Sequence, residues 1–519
     1  GPVIPFIFIT IACGALSGFH ATIGTGTTPK MIGNERDVLF VGYGAMLMEG
    51  FVAVMALAGC VNLAPDYVRP EAPVAQAWPE GEAYQQSELR RGALAPWQEI
   101  VADQRLRRVI ETGLENNRDL RAAALNVELA RAQYGVQRSE LFPTIAAAAQ
   151  NAGQRTPATL SQTGSHVTSH QYTAQLAMSS YELDFFGRVR NLNEQALQAY
   201  LASDDARLSA RNTLIAEIAM AWLQLGADVR QLELQRETLA SQEKSFQLMT
   251  DSWKLGATSQ LEYEQARTTV AAARAAIESY VRAVAQDKNA LELLVGAPVA
   301  DDLLPKGIEL GAVVMPSLPE GLPSEVLLNR PDVRQAERNL IGANAYIGAA
   351  RAAFFPSISL TGALGTSGTE LSQLFGSGSG MWSFTPNVTI PIFTGGLNLA
   401  NLRAAEASQQ IAVANYEKAI QTAFTEVANA LATEGTVESE LKAREEYADA
   451  AVKAFKLSES RYEHGAAAYT EVLDMQRAAV AAEQLLISAQ LARASSFVTL
   501  YKVLGGGALE EQPAEGDAK

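Results

Sequence analysis

The sequence offers few side chains whose types and spacing suit enzyme chemistry. His166 and His170 are four residues apart, which on a helix would bring two imidazoles together as metal ligands. They lie in a stretch rich in Ser, Thr and Gly with no third ligand nearby, so an exposed loop is the better interpretation. Cys13 and Cys60 are the only cysteines among 519 residues, too few for a disulfide framework or a Cys-rich metal site. Residues 24–30 lack the spacing of a phosphate-binding loop. We therefore expect no enzyme activity, no metal site and no cofactor.

Charged residues beside two glycines are the next candidates for a site. Glu471 and Asp474 are three residues apart, so one helix face can carry both carboxylates. They follow Gly465, which interrupts a long helical pattern, and Glu262 follows Gly256 in the same way. The alternative is that these charges only solvate exposed helix ends, as most surface carboxylates do.

The overall charge limits the partners. Lys and Arg number 41 against 57 Asp and Glu, giving a net charge of −16. Binding nucleic acid requires a basic face, so nucleic acid is excluded as a partner. Hydrophobic residues make up 48% and charged residues 19%, a composition typical of a folded chain with a large core.

Two copies of one unit make up most of the chain. Asp119-Leu120-Arg121 matches Asp332-Val333-Arg334 at an offset of 213 residues, and Gly256 matches Gly465 at an offset of 209. Because such matches keep their order over most of both units, we predict an internal duplication. The predicted divisions are a membrane or signal-like segment 1–57, a lead-in 58–100, repeat 1 at 101–297, a Pro-containing connector 298–323, repeat 2 at 324–507 and an acidic tail 508–519.

Each repeat shows the same order of elements. A helix of about 30 to 40 residues is predicted up to each Phe-Pro pair, followed by two strands and two helices. The longest helices are predicted at 188–255 and 397–464, since neither contains proline and each contains one glycine. Shorter helices follow at 258–295 and 467–504. The long helices are too polar to cross a bilayer, so they must pack in a coiled-coil-like bundle.

The strands alternate between apolar and polar residues. Those on the apolar side of the last strand are Trp382, Phe384, Val388, Ile390 and Ile392. The segment 169–186 alternates more weakly, and loops at 152–168 and 365–380 join each pair of strands. This pattern fits a soluble sheet or a membrane barrel with a wet lumen. Four strands cannot close a barrel, and unpaired edges in lipid cost several kcal/mol per group, so a membrane location requires several chains.

Three segments carry a specific resemblance. Residues 182–188, 351–360 and 414–421 resemble the TolC family of outer-membrane efflux channels, most closely its OprM-like lipoprotein branch. The resemblance covers residues 58–507. It implies a mostly α-helical homotrimer with a membrane β-barrel portion, in which a twelve-stranded barrel is continued by a twelve-helix periplasmic coiled-coil tunnel. It also implies a periplasmic adaptor (membrane fusion protein) and an inner-membrane pump of the resistance–nodulation–division (RND) class. The implied function is passive export of drugs and other amphiphiles.

The N-terminal part differs from the rest. Residues 3–24 and 38–59 are nearly uncharged, as in membrane-embedded segments. Residues 1–57 resemble a fragment of the carbon-starvation (CstA-like) family of inner-membrane transporters, and we interpret them as a chimeric segment. Leu57-Ala58-Gly59-Cys60 resembles a bacterial lipobox, which implies a palmitate-bearing lipid anchor at Cys60 in the outer membrane. The alternative is a buried cysteine at the end of a membrane helix.

The TolC resemblance also implies a periplasmic gate. It places the gate and the adaptor contact at the helix-turn-helix tips around Gly256 and Gly465. The side chains assigned to the gate are Asp474, Glu471, Arg477, Glu262 and Tyr462. Asp474 aligns with an aperture carboxylate, and its copies on a symmetry axis would attract cations. Tyr462 is expected to hydrogen-bond to Glu262 across the coils.

Other functions remain open at the level of sequence. A channel of the same architecture could serve type I protein secretion or metal-ion efflux. A soluble coiled-coil scaffold would have no use for strands with an exposed apolar side. Peptide transport by residues 1–57 would require the missing remainder of such a transporter.

Overall fold

The computed structural model describes residues 62–84, 95–162, 164–314 and 323–506. The CstA-like segment 1–57, Cys60 and the tail 508–519 lie outside the described residues.

The lead-in ends with a short helix, α1 Trp97–Ile100, and repeat 1 begins with two helices, α2 Gln104–Asn116 and α3 Arg118–Ser139. The prediction of a single helix before the first Phe-Pro pair is therefore wrong, because the helix is interrupted at Asn117. The backbone of Asn117 is extended (ψ 131°), and its Oδ1 accepts a hydrogen bond from the N–H of Leu120 at 2.8 Å. Asn117 thus caps α3, the role that short polar side chains favour over a helix interior.

The remainder of repeat 1 contains β1 Thr144–Thr156, β2 Val167–Leu183 and two long helices, α4 Arg188–Lys254 and α5 Gln260–Val295. α4 runs for 67 residues and ends one residue before the predicted boundary. Its length follows from a sequence without proline, the residue that most strongly interrupts a helix.

Repeat 2 follows the same order, with α6 Pro323–Leu328, α7 Pro331–Ala352, β3 Ser357–Gly368, β4 Gly380–Thr389, α8 Leu397–Glu463 and α9 Tyr469–Val503. The predicted first helix is again two helices. Pro331 opens α7, a position where its missing N–H removes no helical hydrogen bond. α8 is also 67 residues long.

The strands form one antiparallel sheet in the order β1-β2-β3-β4. β4 ends at Thr389, so Ile390 and Ile392 lie beyond the strand in which they were predicted. Pro391 explains the difference, because it has no N–H to continue a ladder. β1 extends to Thr156, which shortens the predicted loop 152–168 to residues 157–166.

The chain divides into two compact units. The first contains the sheet and comprises residues 62–69, 130–200 and 339–413, and the second comprises the other described residues. In the first unit, the rings of Phe186 and Phe355 stack with centroids 4.7 Å apart. The core of the second unit contains fully buried Leu106 of α2 and Trp222 of α4. The indole N–H of Trp222 donates to the carbonyl of Leu303 at 3.0 Å.

An extended segment at residues 62–65 is held firmly in the first unit. Asn191 donates to Oδ1 of Asn62 at 2.8 Å, and Asn344 donates to the carbonyl of Pro65 at 2.7 Å. A Cβ on Gly348 of α7 would lie 2.7 Å from the backbone nitrogen of Ala64. Glycine is therefore required at this position, because any larger side chain would displace the segment.

Candidate functional site

The turns after α4 and α8 have the same backbone conformation. Gly256 and Gly465 have φ values of +74° and +72°, and nothing lies within 4 Å of the missing Cβ of either. The N–H of Ala257 donates to the carbonyl of Ser252 at 2.9 Å, and the second turn repeats this bond. Both turns thus end a helix by the left-handed glycine motif, which allows the chain to reverse into α5 and α9.

The Glu262 carboxylate accepts its hydrogen bonds from residues of the first turn. Ser259 and Glu262 form a reciprocal cap at the start of α5, with the backbone N–H of Ser259 donating to Glu262 at 3.0 Å. Hydrogen bonds from the Thr258 hydroxyl, and then from Ser259, lower the pKa of Glu262. Glu262 therefore stays ionised while it stabilises the tip.

The two acids of the second tip have different partners. Glu471 accepts a hydrogen bond from Arg461 at 2.6 Å, which joins the first turn of α9 to the last turn of α8. Asp474 lies 3.6 Å from Arg477 on its own helix, and both side chains are about two-thirds exposed (69% and 64%). Such an exposed pair contributes little to stability. The carboxylate of Asp474 thus remains available to charges outside the chain.

The predicted hydrogen bond between Tyr462 and Glu262 is wrong in this structure. The Tyr462 hydroxyl donates instead to the sulfur of Met249 at 3.8 Å. Glu262 is held by its own cap, which explains why it does not reach the phenol. Burial, and then the negative charge of Glu262, raise the pKa of Tyr462.

An apolar group, here called the tip cluster, connects the two hairpins α4–α5 and α8–α9. Its buried members are Met249, Ala266, Tyr469, Val472 and Leu473, and its half-buried members are Phe246, Phe455 and Tyr462. Sequence reasoning missed this cluster. The available signal was the repeat itself, because Phe246 and Phe455 are counterparts at the offset of 209.

The sheet exposes a continuous apolar face. Leu176, Leu364 and Trp382 lie side by side on β2, β3 and β4, and their side chains are 55%, 67% and 76% exposed. The neighbouring row consists of Met178, Gly362 and Phe384. The opposite face carries small and polar residues, including Ser359, Thr361, Ser383, Thr385 and Asn387. One face is therefore suited to an apolar environment and the other to water.

Neither metal chemistry nor a helical membrane span is found in the described part of the chain. Within it, no group of three or more His, Cys, Asp or Glu side chains is arranged to hold a metal ion. His170 lies in β2 rather than in the predicted loop, because it pairs with Gly153 of β1. Every helix among these residues is too short or too polar to serve as a bilayer-spanning segment.

Comparison with known proteins gives two family matches. The family model of outer membrane efflux proteins matches residues 109–297 and 322–506. The model of the carbon starvation protein CstA matches residues 1–121, beyond the 57 residues that suggested the resemblance and overlapping the first match at 109–121.

Individual relatives cover nearly the whole chain. The probable efflux pump outer membrane protein TtgC of Pseudomonas putida is 45% identical over 467 residues, which are 90% of this chain and 96% of TtgC. A membrane protein of Pseudomonas aeruginosa superposes with a TM-score of 0.80 at 43% identity, covering 86% of this chain and 98% of that one. The open state of the Neisseria gonorrhoeae MtrE outer membrane channel gives a TM-score of 0.77 at 39% identity, covering 86% and 99%.

Proposed function

Because this chain belongs to the outer membrane efflux protein family, we propose that three copies enclose one channel through which drugs and other amphiphiles leave the cell. The family identifies the chain as a passive outer-membrane efflux channel of RND-type pumps rather than an enzyme. What remains to be proposed concerns its assembly, its gate and its cargo.

The observation that carries the proposal is the unfinished sheet. β1 and β4 are its edges, and its apolar face is open along β2, β3 and β4. In lipid, unpaired N–H and C=O groups on these edges would cost several kcal/mol each. Three copies would supply twelve strands, which close into a barrel with the Trp382 side toward lipid and the Ser383 side toward the lumen.

The long helices supply the rest of the channel in this proposal. Three copies of α4, α5, α8 and α9 make twelve helices, which would form a periplasmic tunnel with the shorter helices packed along it. Its inner end would be the tips at Gly256 and Gly465, where a periplasmic adaptor and then an RND pump would dock. A lipid on Cys60, next to the segment fixed in the first unit, would add an anchor in the outer membrane.

The gate in this proposal combines charge and packing. Asp474 has no partner outside its own helix among the described residues, so its copies can approach one another near the channel axis. Like charges held together repel, and a ring of carboxylates favours cations. The Arg461–Glu471 ion pair stiffens the second tip, while the tip cluster holds the two hairpins of each chain together.

The proposal is tested by counting subunits and measuring export. Detergent-extracted full-length protein should have the mass of a trimer, and deletion of the gene should increase sensitivity to several unrelated drugs. The Ala variant of an exposed tunnel residue such as Leu457 serves as the control for expression. A monomer that retains its fold in detergent-free buffer would refute the proposal.

A further inference from the structure

The loop between β3 and β4, residues 369–379, folds back over the apolar face of the sheet. The register of β3 is regular up to Gly368, so Gly368 faces the same side as Leu364, four residues earlier. A Cβ on Gly368 would lie 3.4 Å from the carbonyl oxygen of Glu370 and 3.5 Å from the backbone nitrogen of Leu374. The backbone of the β3–β4 loop therefore lies on the apolar side of the sheet and not on its polar side.

A second observation supports this placement of the loop. Thr366 lies on the same side of β3, between Leu364 and Gly368. Its hydroxyl is shielded from solvent and has no hydrogen-bond partner among the described residues. Leu364, two residues earlier on the same face, is 67% exposed. The surface thus changes from open to covered between these two positions, as a loop lying over the end of the strand requires.

The β3–β4 loop has a defined structure with two apolar side chains pointing outward. The N–H of Ser367 donates to the carbonyl of Ser379 at 2.8 Å, which closes the loop at its base. Leu374 is buried and anchors the loop. Leu371 and Phe375, by contrast, are 66% and 80% exposed. The fold of the loop therefore holds a leucine and a phenylalanine in the open, beside the apolar face of the sheet.

The counterpart loop of repeat 1 lacks these features. Both loops contain the sequence Leu-Ser-Gln, at residues 160–162 and 371–373. In repeat 2 this sequence is followed by Leu374-Phe375 and a glycine, whereas in repeat 1 Thr163 alone precedes the glycine. The anchor and the exposed ring are thus not needed to join two strands of this sheet, which indicates a separate role for them.

The apolar side of β3 is short for a strand that crosses a membrane. Its large apolar residues run from Ile358 to Leu364, six residues apart. This corresponds to about 15 Å of membrane thickness for a strand tilted by about 40°, whereas membrane barrels present an apolar band about 25 Å tall. No large apolar side chain follows on this side before β3 ends. Leu371 and Phe375 of the loop extend the apolar surface at this end.

We propose that the β3–β4 loop belongs to the membrane-facing surface and that Leu371 and Phe375 contact acyl chains of the outer leaflet. The inference rests on the proposed barrel, in which β3 runs away from the helices and ends toward the outside. The loop backbone is irregular, so it lies at the headgroup boundary, where water satisfies its free N–H and C=O groups. Only the two side chains reach the acyl chains, while Glu370, the one charged residue of the loop, stays among the headgroups.

The position of the loop favours lipid over a second copy of the chain. β3 is an inner strand of the sheet, paired with β2 on one side and β4 on the other, whereas copies must join at the edges β1 and β4. The loop also continues the surface that carries Leu364 and Trp382, which faces lipid in the proposed barrel. An apolar patch that is continuous with a lipid-facing surface is suited to the same environment.

The test measures which medium surrounds the loop. Full-length Phe375→Cys protein is labelled with a nitroxide and reconstituted in phosphatidylcholine vesicles. Collisions with oxygen, which concentrates among acyl chains, are compared with collisions with a water-soluble nickel chelate. The ratio of oxygen to nickel accessibility should exceed that of labelled Ser383→Cys severalfold and approach that of labelled Trp382→Cys.

Two kinds of control make the comparison specific. Ser383 and Trp382 are neighbours in β4, both exposed and on opposite faces of the sheet, so they calibrate the signals of water and lipid. Wild-type protein treated with the same label gives the background from Cys13 and Cys60.

The outcomes separate this inference from the proposed function. A nickel-accessible label at Phe375 would overturn the inference, because the loop would lie in water. A label that neither reagent reaches would also overturn it, because a second copy would cover the loop. In both cases a lipid-exposed label at Trp382 and a trimeric, export-competent wild type would leave the proposed function standing. A water-exposed label at Trp382 would refute the barrel and the inference together.

A conservative variant covers the case in which the labelled protein does not fold. Phe375→Trp keeps a large aromatic ring at an exposed position and adds one fluorophore to the five native tryptophans. Its additional emission should be quenched by phosphatidylcholine brominated on the acyl chains and not by iodide in the water. Ser383→Trp, on the polar face, should show the reverse. Quenching of the Phe375→Trp emission by iodide alone would overturn the inference.

Discussion

The tip cluster predicts that packing, more than charge, holds the channel closed. Met249 is 1% exposed and lies on α4, while its cluster neighbours Val472 and Leu473 lie on α9 of the other hairpin. If opening separates the hairpins, this packing exists only in the closed state. Met249→Ala should therefore shift the gate toward the open state.

The size of the effect follows from the burial of the side chain. Truncating a fully buried methionine to alanine costs about 3 kcal/mol through lost contacts and the cavity left behind. Each 1.4 kcal/mol corresponds to about a tenfold change in an equilibrium constant. In each subunit, the ratio of open to closed tips should therefore rise by about a hundredfold.

Planar-bilayer recording can measure this shift directly. Met249→Ala channels should show a higher mean conductance and longer open times than the wild type. Leu248→Ala is the matched control, because Leu248 is adjacent and 57% exposed, so its truncation removes little packing. Equal conductance for both variants and the wild type, in trimers of normal stability, would refute the assignment of the gate to this cluster.

Three further predictions concern individual side chains. Replacing both Asp474 and Glu471 by Ala should raise the conductance in bilayers, because the charge near the axis and the ion pair to the preceding helix are lost; unchanged conductance would remove them from the gate. Burial raises the pKa of Asp205 from 3.8 to about 6, despite the arginines nearby. Its contribution to stability is thus present below pH 3.8 and is lost as the pH rises through about 6, a change of about 3 kcal/mol. Thermal melts of Asp205→Asn should depend less on pH over this range than those of the wild type, and identical slopes would contradict the assignment. Cys60→Ala should abolish palmitate labelling, whereas persistent labelling would mean that the lipid is attached to another residue.

The long helices could be predicted from sequence because their signals are local. α4 and α8 lack proline, and the glycines at 256 and 465 follow their ends closely, so the predicted ends differ from the observed ones by one residue. The breaks before α3 and α7 were missed. A side-chain cap such as that of Asn117 depends on a hydrogen bond, which composition alone does not reveal.

The site was harder to predict than the fold. The acids near the tips were assigned to the gate through the TolC resemblance, and the spacing of Glu471 and Asp474 indicates only that one helix face can carry both carboxylates. The hydrogen-bond partner of Tyr462 could not be predicted, because the choice between Glu262 and Met249 depends on how two hairpins pack and on the cap that already holds Glu262. Tertiary packing decides such contacts, and a single sequence contains no direct record of it.

The open edges of the sheet have a consequence for how the protein is made. In the proposed assembly, a chain that has not yet met its copies presents two unpaired strand edges and the apolar row at Leu176, Leu364 and Trp382 to an aqueous compartment. Surfaces of this kind are templates for aggregation. Biogenesis is thus a competition between insertion and precipitation. We expect the chain to need an escorting chaperone before it reaches lipid, and overproduction to favour inclusion bodies.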